Sequence, residues 1–184
     1  MQWGRACVSL AVAGSVLAGA VAAEAATIKV DATVAGGSTF SVSWLNSPSF
    51  TVTLNGDDQV GAFQAEVQVA DARGLAKRGG WNLAVGASQF SDGSGHVLPA
   101  DADTIASVDA DCHTGSTCSL PANNVTNTGL SVPRSPVRTK FFNATTGTGL
   151  GRIDVTANVN VLIPANTIAG SYSSTLTVAL SAGP

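Results

Sequence analysis

The chain is short of charge. Its 184 residues carry 9 Lys and Arg against 12 Asp and Glu, so the net charge is −3 and only 11% of positions are of these four types. A typical soluble domain devotes about a quarter of its residues to them. A nucleic-acid partner would demand a stripe of Lys and Arg, which this sequence does not supply. Histidine is scarcer still: His96 and His113 stand alone, both in stretches rich in Gly, Ser and Thr. There is no G-x-S-x-G elbow, no H-E-x-x-H pair and no phosphate-binding glycine loop. Either histidine could activate a serine, but Ser and Asp are so abundant that the coincidence carries little weight. No catalytic residue, metal ligand or cofactor site is assigned, and no enzyme is expected.

Cysteine is limited to Cys7, Cys112 and Cys118. The first lies within residues 1–25, which read as a secretory signal peptide. Arg5 gives a positive start, Ala6 to Ala23 is small and apolar, and Ala23-Glu24-Ala25 fits a small-x-small cleavage site. The rival reading is an uncleaved membrane anchor. The run is near the lower length limit for a span and rich in Ala and Gly, which favours cleavage. Cys7 stands at the very start of this stretch, ahead of its apolar core, and is misplaced for a lipidated first residue. Cleavage removes Arg5 and Glu24, leaves the net charge at −3, and leaves residues 26–184 as one domain without a membrane span.

Cys112 and Cys118 remain, and an even count in a secreted chain favours a disulfide between them. The spacer His113-Thr-Gly115-Ser-Thr117 has a glycine to turn the chain. A metal reading would need more ligands, and only His113 offers itself.

Also missing is any long segment with apolar residues at helical spacing. Short period-2 runs take its place: Ile28 to Val34, Phe40 to Trp44, Phe50 to Leu54, Phe63 to Val69, Trp81 to Val85, Thr104 to Val108, Lys140 to Phe142, Ile153 to Val161 and Tyr172 to Leu180. Turn signals such as Gly36-Gly37, Asn55-Gly56-Asp57-Asp58 and Pro164-Ala-Asn166 separate them. The pattern predicts an all-β domain, an antiparallel β-sandwich or barrel-like sandwich with little helix. The last run places Tyr172, Leu176, Val178 and Leu180 on one face and continues to the C-terminus, so surface attachment is expected within the folded body.

Three smaller groups have a functional reading beside that of solvated surface. Asp101 and Asp103 share a parity, as do Asp109 and Asp111. With the loop Asp92-Gly-Ser-Gly95 they are conceivable calcium ligands, although none has calcium-loop spacing. Asn124-Val-Thr126 and Asn143-Ala-Thr145 match the glycan acceptor pattern, which arises readily in a chain this rich in Asn and Thr. Arg73, Lys77 and Arg78 form a small basic cluster that could meet an anionic wall polymer.

Two motifs carry a resemblance. Asp71-Ala-Arg73-Gly74 followed by Trp81-Asn-Leu83 is similar to the first motif of the WxL-domain proteins of Gram-positive bacteria. Tyr172-x-x-x-Leu176-Thr177-Val178-x-Leu180-x-x-x-Pro184 resembles their second, with Val178 where the family motif has Trp. The segments around Cys112 to Pro121 and Lys140-Phe-Phe-Asn143 look like the domain in high-GC members. The resemblance implies a secreted, non-enzymatic protein held non-covalently at the cell surface. Its expected partner is peptidoglycan or another wall polymer, and the alternative is assembly with other surface proteins through sheet edges. Arg73, Lys77, Arg78, Trp81, Leu83, Tyr172, Leu176 and Leu180 are the candidate wall-binding residues. The apolar ones among them fall on inward parities, so core packing stands beside sugar stacking as their role.

Overall fold

A computed structural model describes residues 29–74 and 79–184. The expected leader, and Lys77 and Arg78, lie outside the described residues. Among the described residues there is no helix, and none therefore long and apolar enough to cross a membrane. The unit spanning Val34–Pro184 holds eight strands: β1 (Phe40–Trp44), β2 (Gln59–Asp71), β3 (Trp81–Ala87), β4 (Asp103–Cys112), β5 (Leu130–Ser131), β6 (Thr139–Ala144), β7 (Gly151–Ile163) and β8 (Leu176–Ala182).

They form two antiparallel sheets, a five-stranded one in the order β1-β2-β7-β4-β5 and a three-stranded one in the order β6-β3-β8. One core is shared between them. Val67 and Val69 of β2, Ile105 of β4 and Ile153, Val155 and Val159 of β7 face Trp81, Leu83 and Val85 of β3 and Phe141 and Phe142 of β6. Period-2 alternation drives this, since each strand has one apolar face to bury and the facing sheet buries it. The expected all-β sandwich is the fold observed.

Two bulges adjust the pattern. In β6 the register against β3 slips at Phe141, between the pairs Leu83↔Phe142 and Ala84↔Lys140. Two residues therefore oppose one, and the adjacent Phe141 and Phe142 are both buried. In β4 the register against β7 slips at Ala106. Odd-numbered Asp103 and Ile105 face inward before the slip, whereas Val108 and Ala110 pack on the core after it.

The sheets differ in length. β2 and β7 have 13 residues each, β3 and β8 only 7. At about 3.3 Å per residue the long pair overshoots the short sheet by about 20 Å. The exposed inner face at that end is covered by connections, with Phe50, Val52, Leu54, Phe90 and Tyr172 packed on Leu98, Ala102, Val161 and Ile163. Phe50 lies over Gly61 of β2, where any side chain would collide with its ring.

That capping role corrects one expectation. Residues 50–54 alternate as a strand would, yet join no ladder, because they are buried by crossing the sheet face rather than by pairing with an edge. Ile28 lies outside the described residues; from residue 29 to 39 the rest of that run joins no ladder, and Val30 and Val34 are exposed. Alternation supplies a face, but a strand also needs a partner edge, and on β2 that edge is taken by β1. At the other end, Tyr172 belongs to the connection, and the ladder starts only at Leu176.

Candidate functional site

The two sequence motifs lie side by side. β3 and β8 are neighbours in the short sheet, with Trp81 opposite Ala182, Leu83 opposite Leu180 and Val85 opposite Val178. Trp81 is the largest fully buried side chain, at 0% exposure, and Leu83 is closed off to the same degree. The indole Nε1–H donates to the carbonyl of Gly149 at 2.8 Å, and the ring lies against Phe142 with centroids 6.1 Å apart. Gly149 has φ +73°, and a Cβ there would come within 2.6 Å of Trp81 Nε1. Only glycine fits at that point. Trp81 and Leu83 thus sit in the core, with no atom presented to solvent.

The Asp-x-Arg-Gly segment is a clamp at the end of β2. Arg73 Nε and Nη2 donate to the two carboxylate oxygens of Asp71, at 2.9 and 2.7 Å, and the Arg73 backbone N–H donates to Asp71 Oδ1 at 3.1 Å. The guanidinium also lies 3.6 Å above the centroid of the Phe40 ring. Burial pushes the Asp71 carboxyl upward in pKa, but the hydrogen bonds and charge of Arg73 outweigh it and hold the group below its ordinary value. Arg73 Nη2 donates further to the carbonyl of Gly80 at 3.2 Å. That same carbonyl accepts from Gly183 N–H at 3.1 Å, while Asn82 Nδ2 donates to Gly183 O at 2.9 Å. One carbonyl therefore joins the first motif to the end of the second. Arg73 is committed to the fold, with its charge neutralised by Asp71.

Leu176, Val178 and Leu180 pack against the core from β8. Val178 lines a small apolar cleft of about 10 Å³ together with Leu176, Val85, Phe141 and Trp44. That volume holds at most one water-sized body, so the space beside Val178 is nearly filled. Trp44, on β1, is 42% exposed and comes to the cleft from the opposite sheet. The sequence shows it only as the last member of the Phe40–Trp44 alternation, with the Asn46-Ser-Pro48 turn marking where the strand, and with it the cover, ends.

The acidic candidates fall on different surfaces. The Ala106 bulge leaves Asp103 inside and turns Asp109 and Asp111 outward, opposite Thr156 and Asp154. Among the described residues no group of three His, Cys, Asp or Glu side chains is placed to hold a metal ion. Burial raises the pKa of Asp103 to about 6, with the Arg134 charge opposing. Asp92 closes its own loop, accepting from the N–H groups of Ser94 and His96 and meeting His96 Nδ1 at 2.6 Å. His113 Nδ1 lies 2.9 Å from Asp154. Asn143 is fully buried and accepts from Asn124 N–H at 2.9 Å, so it is closed to a glycan. Cys112 and Cys118 form a disulfide with Cα atoms 5.5 Å apart.

Two polar regions of the described surface stand out. On the outer side of the long sheet, side chains bond in rows: the amides of Gln64 and Asn158 lead to the Ser107 hydroxyl, and Gln68 donates to the Asp154 carboxylate. At the sandwich end where the long strands overshoot, Tyr172 borders a groove between the β3–β4 and β7–β8 connections. Of Trp81, Leu83, Tyr172, Leu176, Val178 and Leu180, Tyr172 alone stands apart from the main core, packed on the second apolar cluster.

The family model for the WxL domain, described as surface cell wall-binding, matches residues 22–184. No curated protein and no solved structure matches.

Proposed function

Because the chain belongs to the WxL domain family of surface cell wall-binding domains, we propose that it is secreted and associates non-covalently with peptidoglycan, as a binding module without catalysis of its own. The observation that carries this reading is the family match over nearly the whole chain, in a fold where the two signature strands are adjacent and tied through the Gly80 carbonyl. The signature residues then act through the scaffold. Trp81, Leu83, Leu176 and Leu180 hold the short sheet against the long one, and Arg73 closes the turn before β3. Contact with the wall falls to the solvent-facing polar rows and the end groove, which offer hydrogen-bonding groups to a polar polymer. Lys77 and Arg78 remain candidates for an anionic wall component. The test is sedimentation of the folded protein with isolated peptidoglycan: pelleting in proportion to wall added is expected, and a folded protein that stays in the supernatant contradicts the reading.

A second reading is assembly with surface proteins. Among the described residues β8 pairs with β3 on one side only, and β1 likewise with β2, so each sheet presents an edge strand. Size-exclusion chromatography separates the two readings, since a wall-indifferent oligomer favours assembly and a wall-binding monomer favours the first.

A further inference from the structure

The end groove has about 440 Å³ of space, within the range of sites that take small ligands. One wall is the β3–β4 connection, with Gln89, His96, Val97, Leu98 and Pro99. The other is the β7–β8 connection, with Pro164, Asn166, Thr167, Ile168 and Tyr172. Both walls are held in place. Ser91 and Ser173 exchange backbone hydrogen bonds of 3.0 and 2.9 Å across the two connections, and Leu98 N–H donates to Phe90 O at 3.1 Å. Tyr172 Oη donates to the carbonyl of Ile168 at 2.8 Å while its ring packs on the second apolar cluster, so the ring cannot swing away. The groove is therefore formed before any ligand arrives, which lowers the ordering cost of binding.

Its chemistry is selective. No Lys, Arg, Asp or Glu lines it, and its imidazole, His96, already faces the Asp92 carboxylate, so it presents no unpaired charge to a ligand. Polar groups remain open toward it. Gln89 Nε2 is used on Leu98 O, which leaves Oε1 as an acceptor. His96 Nδ1 is turned to Asp92, which leaves Nε2 for a ligand. The amide of Asn166 and the hydroxyl of Thr167 each bring a donor and an acceptor. Apolar surface is interleaved with them: an immobilised tyrosine ring, two prolines, and Val97 and Ile168, exposed at 52% and 55%. A neutral ligand with hydroxyls, amides and apolar faces matches this set. Hexose rings carrying acetamido groups have all three, with the ring face suited to Tyr172 and the acetyl methyl to Val97 or Ile168.

We propose that this groove is the glycan-binding site, taking N-acetylated hexosamine units of the wall polymer. The proposal rests on the wall-binding reading for the identity of the polymer, but the groove chemistry is tested separately. A soluble N-acetylglucosamine tetrasaccharide is titrated into ¹⁵N-labelled protein and amide shifts are followed. Expected are saturating shifts confined to residues 88–99 and 164–173, and about a ten-fold loss of affinity in Asn166→Ala/Thr167→Ala, as lost hydrogen bonds would give. Both positions are on a surface connection, and the melting temperature should stay unchanged. Shifts absent or located elsewhere, or a double variant that binds like the parent, overturn the site. So do groove shifts produced by a D-Ala–D-Ala peptide and not by the sugar. Protein that pellets with peptidoglycan yet shows no groove shifts refutes the groove and leaves wall binding standing. Groove shifts without pelleting support the groove and refute the wall.

Discussion

Replacing Trp81 with Phe asks directly whether the motif tryptophan is core or contact. The indole is fully buried, and its N–H donates to the carbonyl of Gly149 at 2.8 Å. Phe keeps an aromatic ring against Phe142 but removes the donor, leaving a buried acceptor unpaired at a cost of about 1–3 kcal/mol. Loss of the second ring adds about 1 kcal/mol for the apolar contact and residual cavity. The sum, about 2–4 kcal/mol, is a large share of the 5–15 kcal/mol typical of a domain. At about 2–4 °C per kcal/mol for a chain of this size, the melting temperature should fall by roughly 5–15 °C. Denaturant titration followed by circular dichroism gives the stability, and sedimentation with peptidoglycan, well below the midpoint, gives the binding. The expected result is a destabilised protein that still pellets when folded. Unchanged stability with lost pelleting would refute the core assignment and make Trp81 a contact.

Arg73→Ala leaves the buried Asp71 carboxylate without its partner and should cost about 2–4 kcal/mol. Because Arg73 holds the Asp71 pKa low, the clamp stabilises the parent above the ordinary carboxylate range and weakens as pH falls through the depressed value. A parent-minus-variant stability difference that did not shrink in acid would count against it. Asp103 works in the opposite sense. With a folded pKa near 6 against an ordinary value near 4, it binds its proton more tightly in the folded state, so its contribution falls as pH rises from about 4 to 6. Asp103→Asn should flatten that part of the stability profile by on the order of 1–2 kcal/mol, solvent screening being allowed for, and identical slopes would show that the group is not buried as described. Replacing both Cys112 and Cys118 with Ser opens a loop with sequence separation 6 and should cost about 2 kcal/mol, read by thermal denaturation against the oxidised parent.

The strands that alternate and find partners were legible from the sequence: β1, β2, β3, β4, β6, β7 and the body of β8. The disulfide was legible from the cysteine count and Gly115. Residues 50–54 and 172–174 were not, because capping an overshooting sheet imposes the same inward-outward alternation as pairing does. The Asp103 environment was hidden by a bulge, which reverses parity without any mark in the local residue types. The motif residues were legible as inward, but their closure depends on Gly149, 68 positions beyond Trp81. The groove was invisible for a related reason. Gln89, Asn166 and Thr167 are ordinary loop residues until two connections, distant in sequence, are brought face to face by β3 and β8.

On the proposed wall-binding function, the folded domain binds the wall through its outer surface while its motif strands hold that surface in place. Sedimentation of the intact, folded protein with purified peptidoglycan over a range of wall concentrations tests it most directly. Saturable pelleting of the folded protein is predicted, with the bound fraction rising with wall concentration to a plateau. A protein that remains in solution at every wall concentration, with its circular dichroism intact, contradicts it.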